Sequence, residues 1–157
     1  MSKYTLFWES PIGTLTLEEE DGALTFLLFG RVELPGQEQE TPLLRETVQQ
    51  LEEYFSGSRQ AFTIPLHPSG TPFREKVWAA LREIPYGETR SYGQLAEMVG
   101  QPRAVRAVGG ANHHNPIAIL IPCHRVIGAN GRLVGYALGL ERKRWLLQHE
   151  TGREWCI

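Results

Sequence analysis

Asn115-Pro116-Ile117-Ala118-Ile119-Leu120-Ile121-Pro122-Cys123-His124-Arg125-Val126 is the stretch around which this chain is organised. The apolar run from Ile117 to Ile121 is short, rich in β-branched residues and bounded by Pro116 and Pro122. That pattern marks a strand buried on both faces, or a buried extended segment. Either form holds Cys123 on a rigid support with a base, His124, and a cation, Arg125, directly behind it. Cysteine nucleophile chemistry needs this setting, because the thiolate is the reactive species and nearby positive charge lowers the thiol pKa from its free value of about 8.5. The competing reading is a structural cysteine, a small hydrophobe without chemistry. The Cys-His pair alone favours the structural reading, so the surrounding chain has to decide.

Immediately upstream, Ser91-Tyr92-Gly93-Gln94 has the form of a capping box, with Ser as N-cap and Gln three residues on. A short helix follows through Leu95, Ala96 and Met98 to Gly100. Gln101-Pro102 turns the chain, and a second short helix runs from about Arg103 through Ala104, Val105, Ala107 and Val108 to Gly109-Gly110. Two short helices joined by a tight turn match a helix-turn-helix, whose second helix docks at DNA through its N-terminal part. Here that helix is rich in small residues, with Arg103 and Arg106 as its only charged members, so it suits close approach with little reading of base edges. Charge agrees with this. Residues 1–70 hold four Lys/Arg against eleven Asp/Glu, a balance of −7, whereas residues 71–157 hold twelve against seven, a balance of +5. A basic half joined to an acidic one points to a polyanionic partner.

The first half carries no catalytic constellation. Tyr4 to Glu9, Thr14 to Glu19 and Ala23 to Phe29 alternate as strands, with Pro11-Ile12-Gly13 and Asp21-Gly22 as turns, which predicts an antiparallel meander. Glu18-Glu19-Glu20-Asp21 is expected to be a solvated strand end, and residues 30–40 a loop. Thr41 as N-cap and Pro42 at the first helical position open a helix with Leu44, Val48, Leu51 and Phe55 at helical spacing, closed by Gly57. The Ser, Gly and Pro residues of 57–70 predict a linker and a domain boundary near 66–70. A further helix opens at Thr71-Pro72 and carries Phe73, Val77, Leu81 and Ile84 on one face.

Composition sets the frame. Apolar content of 41% and charged content of 22% are ordinary for a globular protein. No stretch reaches the roughly 18 apolar residues of a membrane span. Met1-Ser2-Lys3-Tyr4 lacks a signal-peptide core, and two cysteines, Cys123 and Cys156, do not make a disulfide framework. The expectation is a cytoplasmic protein with reduced thiols and no membrane association.

Downstream of Cys123, Asn130-Gly131 is a hairpin signal. Gly135 and Gly139 bracket Tyr136-Ala137-Leu138, a loop able to bring backbone N–H groups to a ligand. A last helix holds Leu140, Trp145, Leu146 and Leu147, with Arg142, Lys143 and Arg144 on its polar side.

Assembled, these pieces resemble the O6-alkylguanine-DNA alkyltransferase family. The resemblance rests on Pro122-Cys123-His124-Arg125 preceded by Asn115-Pro116, on Ser91-Tyr92 and Arg103-Ala104-Val105-Arg106-Ala107-Val108-Gly109 upstream, and on Gly135-Tyr136 and Trp145-Leu146-Leu147-Gln148-His149-Glu150 downstream. It covers about residues 71–152; the first half resembles the family only in size and strand-helix order. The resemblance implies an α+β chain: an N-terminal antiparallel sheet with a helix, ribonuclease H-like, in a supporting domain of residues 1–68, then a mostly helical, winged-helix-like DNA-binding domain of residues 69–157.

The resemblance also implies a function: irreversible transfer of the alkyl group of O6-alkylguanine, and of O4-alkylthymine, in double-stranded DNA to Cys123 after nucleotide flipping. The chain would be a monomer bound with little sequence specificity. In that scheme His124 is a water-linked base toward Cys123, Glu150 orients and charges His124, and Asn115 fixes the turn before the active-site segment. Tyr92 contacts the flipped nucleotide and its phosphate, and Arg106 fills the gap in the base stack. Ser91, Arg103, Ala104 and Arg125 are the other DNA-binding residues. Val126, Gly135, Tyr136 and Ala137 wall the pocket. No cofactor is expected, and no metal, since the early Cys ligands of zinc-bearing family members are absent. Three rivals explain less. A regulator without chemistry leaves Pro-Cys-His-Arg and Glu150 idle, a lesion sensor of the same family replaces the acceptor Cys, and a cysteine hydrolase has no use for the helix-turn-helix.

Overall fold

The computed structural model describes residues 2–133 and 139–156. The chain divides into two compact units, residues 1–69 with 116–118, and residues 70–115 with 119–157.

In the first unit β1 (Lys3–Ser10), β2 (Gly13–Glu20) and β3 (Ala23–Phe29) form the expected meander, in the order β3-β2-β1-β4 with a short β4 (Gln37–Glu38). Asp21 and Gly22 take φ of 53° and 80°, both positive as a two-residue hairpin turn of this kind requires. Leu15 and Leu17 are fully buried on alternating positions of β2, but on β3 the buried residues are Leu24, Leu27 and Phe29, because an irregularity in the β2–β3 pairing breaks the alternation after Leu24. The segment expected as a loop supplies β4, parallel to β1, and Gly36 lies so close that a Cβ there would sit 2.6 Å from Thr5 Oγ1.

The acidic strand end is not solvated. Glu18 and Glu19 are buried; Glu19 Oε2 accepts from Thr41 Oγ1 at 2.5 Å, and burial raises the Glu18 pKa. A register shift in the β2–β3 pairing at Glu18/Glu19 accompanies this. Helix α1 (Pro42–Ser56) starts and stops as predicted: the Thr41 hydroxyl accepts from Leu44 N–H at 3.1 Å, and Gly57 closes it at φ 89°. Its buried stripe is Leu44, Thr47, Gln50, Leu51 and Tyr54, rotated from the predicted one because Gln50 is held by Thr63 on both sides of its amide. The presumed linker is docked: Leu24 bonds Pro65 O and His67 N at 2.9 Å each, and Ile117 bridges Leu27.

In the second unit α2 (Pro72–Leu81), capped by Thr71, buries Val77, Trp78, Ala80 and Leu81, and Trp78 Nε1 donates to Ala111 O at 2.8 Å. Helices α3 (Tyr92–Met98) and α4 (Val105–His113) form the helix-turn-helix, and both halves of the Ser91 capping box are made. The residue pair before α3, β5 (Arg90–Ser91), runs parallel to β6 (Val126–Ile127). This pairing ties the helix-turn-helix to the segment after Cys123. Asn130-Gly131 does make a turn, closed by Gly128 N to Arg132 O at 2.9 Å; among the described residues no strand returns from it, and Leu133 N donates to Cys156 O. Helix α5 (Leu140–Thr151) follows, ended by Gly152 at φ 71°. Its residues Leu140 and Leu147 pack with Ile127, Leu133 and Trp155. Among the described residues no helix is long and apolar enough to cross a membrane.

Candidate active site

The apolar run is buried as predicted but is not a strand. Residues 118–120 form a turn, with Ile119 at φ 71°, a conformation that costs a β-branched residue on the order of 1–3 kcal/mol. The surroundings hold it there: Ile119 and Ile121 are buried, and the Asn115 side chain donates to Ile121 O at 2.7 Å. Asn115 thus sits where the resemblance places it. Pro122, at φ −81° and ψ 63°, makes an inverse γ-turn in which Cys123 N donates to Ile121 O at 2.8 Å. A proline locks φ at about this value, so the residue before the nucleophile fixes its direction. Cys123 to Arg125 then form a single 3₁₀ turn, with Arg125 N bonded to Pro122 O. The thiol-bearing residue is 4% exposed.

His124 has no exposed surface. Its Nε2 donates to Glu150 Oε2 at 2.7 Å, and its Nδ1 has no hydrogen-bond partner among the described residues. An ionised carboxylate only accepts, so the proton lies on Nε2 and Nδ1 carries a lone pair. Burial lowers the His124 pKa and outweighs the opposing pull of Glu150, with Arg125 and Lys143 adding to the depression. Burial thus works against a charged ring, while Glu150 both orients His124 and favours its protonated form.

Arg125 holds the same carboxylate. Its Nε donates to Glu150 Oε1 at 2.8 Å, its Nη2 to Oε2 at 3.1 Å, and its Nη1 to Ile84 O at 2.6 Å. Burial alone would raise the Glu150 pKa, but His124 and Arg125 together hold it well below the usual carboxylate range. Arg125 was expected to bind DNA; it is 7% exposed, and its guanidinium is turned inward onto Glu150. The carboxylate is already neutralised by a group that stays charged, so it has no need of an imidazolium.

Tyr92 lies half-buried at the start of α3, over Gly109. Its pKa is raised by burial and then by Cys123, while a hydrogen bond from Asn112 works the other way. It is a protonated hydroxyl beside the nucleophile. Asn112, absent from the expected site, is buried and also donates to Cys123 O at 3.4 Å.

Lys143 is the larger omission. Assigned to the polar side of α5, it is fully buried, with Nζ 6.0 Å from the Tyr92 ring centre. Burial lowers its pKa to about 8, against the pull of Cys123. The signal was present in the sequence: Lys143, Leu146, Leu147 and Glu150 are spaced i, i+3, i+4, i+7, one face of a helix, and they are the four buried residues of α5.

Among the DNA-binding expectations, Arg106 is exposed on the first turn of α4, Ala104 is its half-buried N-cap, and Arg103, expected at the helix start, is exposed in the turn that precedes it. The Ser91 oxygen is engaged by Gln94 N in the cap. Val126 was expected on the pocket wall; it has no exposed surface and is paired with Arg90 in β6, so it backs the site from within. Gly135, Tyr136 and Ala137 lie outside the described residues. No group of residues that could hold a metal ion occurs among the described residues.

The second unit is therefore of a definite class: a helix-turn-helix whose frame also carries a buried cysteine, a buried histidine, a carboxylate fixed by that histidine and an arginine, and a buried lysine. Comparison with known proteins agrees. Residues 72–152 match the DNA-binding domain of 6-O-methylguanine DNA methyltransferase, and residues 3–68 its ribonuclease-like domain. The chain is 49% identical over 152 residues to the methylated-DNA–protein-cysteine methyltransferase of Methanosarcina acetivorans, covering 94% of this chain and 97% of that one. It is 50% identical over 149 residues to the protein of the same name from Mycobacterium tuberculosis H37Rv, covering 92% and 90%. Crystal structures of the M. tuberculosis O6-methylguanine methyltransferase, and of that organism's OGT in complex with DNA, superpose with TM-scores of 0.88 and 0.89. Both are 46% identical; the first covers 96% of this chain and 94% of that one, the second 97% and 95%. The chain belongs to the methylated-DNA–protein-cysteine methyltransferase family.

Proposed function

We propose that this chain repairs alkylated DNA by moving the alkyl group from guanine O6 to Cys123, once per molecule. The observation that carries this reading is the pairing of two features in one unit: a helix-turn-helix with Arg103 exposed in its turn and Arg106 exposed on its second helix, and a buried Cys123 followed by the buried His124 and near the Tyr92 hydroxyl.

A thiol 4% exposed cannot reach a base inside the duplex stack. The nucleotide is flipped out, at a cost of a few kcal/mol, and Arg106 fills its place. Tyr92 meets the flipped nucleotide. The Cys123 proton passes through a water to His124 Nδ1, Sγ attacks the alkyl carbon as the carbon–O6 bond breaks, and guanine leaves as an anion that takes a proton from the Tyr92 hydroxyl. The product is a thioether. It lacks the electrophilic carbonyl through which water regenerates an acylated cysteine, so the chain is spent after one transfer.

O4-alkylthymine is a second substrate on the same chemistry. Residues 69–157 carry the reaction and residues 1–68 support them. The protein works as a cytoplasmic monomer, which suits two free cysteines. Incubating it with duplex DNA containing O6-methylguanine tests the reading: one methyl group per chain, found on the peptide containing Cys123, is expected. Turnover beyond one equivalent, or methyl found on Cys156, would overturn it.

A further inference from the structure

We infer that the first unit receives an extended, Lys/Arg-bearing segment of a partner protein, which adds as a strand to the open edge of β1 and seats an apolar side chain in the groove between β1 and α1.

The edge follows from the pairing. β1 is paired with β2 from Lys3 to Ser10, but β4 covers its other side only at Tyr4 and Thr5. On that side the Thr5 carbonyl accepts from Gln39 N–H at 3.0 Å. Backbone groups alternate in direction along a strand, so the N–H and C=O of Phe7 and Glu9 point the same way as those of Thr5. Among the described residues no strand lies beside them. A row of such donors and acceptors is a template for another chain, and folded proteins normally cover or blunt it.

A groove of about 470 Å³ lies beside this edge, lined by Leu6 and Trp8 from β1 and Val48 from α1, each half-buried. Val48 belongs to the stripe Leu44, Val48, Leu51 and Phe55 that the sequence predicts as core. The fold buries Leu44 and Leu51 but leaves Val48 on the groove wall, with Phe55 against Trp8 at 6.0 Å between ring centres. Alternate side chains of an added strand would enter on this face and complete the stripe. The Phe7 ring lies under Arg31 on the other face, so at that position β1 offers the groove its backbone.

Charge selects the occupant. Glu40 and Glu52 line the groove and Glu9 stands near the end of the edge, against the Arg45 guanidinium, which is already bonded to Glu40 at 2.9 Å. The surrounding half of the chain has a balance of −7. These charges repel nucleic acid. Pairing β1 with β1 of a second copy would set the same carboxylates against each other, which works against association. A segment with Lys or Arg flanking an apolar anchor is attracted by the rim and held by the edge, the strand-addition mode of recognition.

The test is selection of random peptides displayed on phage against the full chain, after depletion on a Val48→Asp chain. Retained sequences should place an apolar residue between Lys or Arg residues. A synthetic peptide of the retained sequence should bind about tenfold or more weakly to Val48→Asp, which puts a charge into the groove, and to Glu9→Pro, which removes an edge donor where a strand tolerates proline. Glu9→Gln keeps the donor and should lose less. No enrichment, acidic sequences, or equal losses in Glu9→Pro and Glu9→Gln would overturn the inference. Self-association of the chain that Val48→Asp abolishes would overturn it too, by making a second copy the occupant.

A second measurement needs no variant. Hydrogen exchange at the Phe7 and Glu9 amides of the wild-type chain should slow about tenfold or more when the peptide is bound, as new ladder bonds protect them. Unchanged exchange at both amides would refute strand addition. Neither readout uses DNA or Cys123, so both stand apart from the repair assay that tests the function.

Discussion

Replacing Arg125 with Met should separate its structural work from any contact with DNA. The guanidinium makes two hydrogen bonds to Glu150 and one to Ile84 O, all buried. Removing it strips the buried Glu150 carboxylate of its permanent counter-charge, and breaking a buried pair in this way costs about 3–5 kcal/mol. In a domain of this size that lowers Tm on the order of 10 °C. Glu150→Gln strands the Arg125 charge and should cost a similar amount. The double variant Arg125→Met/Glu150→Gln leaves no uncompensated charge, so its loss should fall short of the sum of the singles by about 2 kcal/mol or more. Urea unfolding at constant m value measures all four corners. The same Arg125→Met chain, assayed well below its melting point, should show the wild-type salt dependence of DNA binding, because each lost phosphate contact reduces that slope by about 0.9. Additive losses together with a slope reduced by that amount would refute the assignment and return Arg125 to the DNA-binding surface.

Arg106→Ala should slow repair more on paired duplex than on a lesion in single-stranded DNA; equal losses would argue against its filling the stack. Gly110→Ala should stabilise the free chain by about 0.5–1 kcal/mol, since a Cβ there meets nothing within 4 Å and alanine is the better helix former. The same change should weaken DNA binding, and unchanged binding would show that this face is not approached closely. Stability should fall as pH drops from about 6.5, where the unfolded chain protonates His124 while the folded chain, its pKa lowered by burial, does not. Glu150, whose pKa is also lowered, adds to the loss below about 4.3. Glu18, raised by burial, works in the opposite sense. Comparing His124→Asn with wild type isolates the first limb, and a wild-type urea midpoint that is flat between pH 7 and 5 would contradict it.

Local signals carried most of the backbone. The Thr41 and Ser91 caps, the glycine stop at 57 and the Asp21-Gly22 turn are decided by a few neighbouring residues, and each formed where read. The misses share a different cause. Lys143, Arg125 and Glu18 are buried although their residue types are mostly found at the surface. Their burial depends on partners far away in sequence, Arg125 on Glu150 and Ile84 for example. Periodicity could have exposed Lys143, because it shares a stripe with Glu150; nothing local distinguishes Arg125 from a phosphate contact. The apolar run was read as extended because β-branched residues favour strands, and the left-handed Ile119 is a tertiary choice that composition does not encode.

The departures from local rules cluster around one point. Within the second unit, a β-branched residue sits at positive φ, an uncapped helix carries two consecutive glycines, and a histidine, an arginine, a glutamate and a lysine are buried together. Each is unfavourable alone, and consistency between levels is what otherwise makes a sequence fold to one structure. They make sense jointly. Ile119, Asn115 and Pro122 aim Cys123, and Arg125 keeps Glu150 ionised so that the carboxylate can hold the His124 ring. Gly109 and Gly110 bare a helix whose own packing does not demand glycine, since a Cβ at Gly109 would make only ordinary contact with Tyr92. Gly110 therefore opens outward, to a surface that can come close to α4, and Gly109 lies against Tyr92, while the buried charges lie inside the unit. A chain selected for stability alone would keep neither.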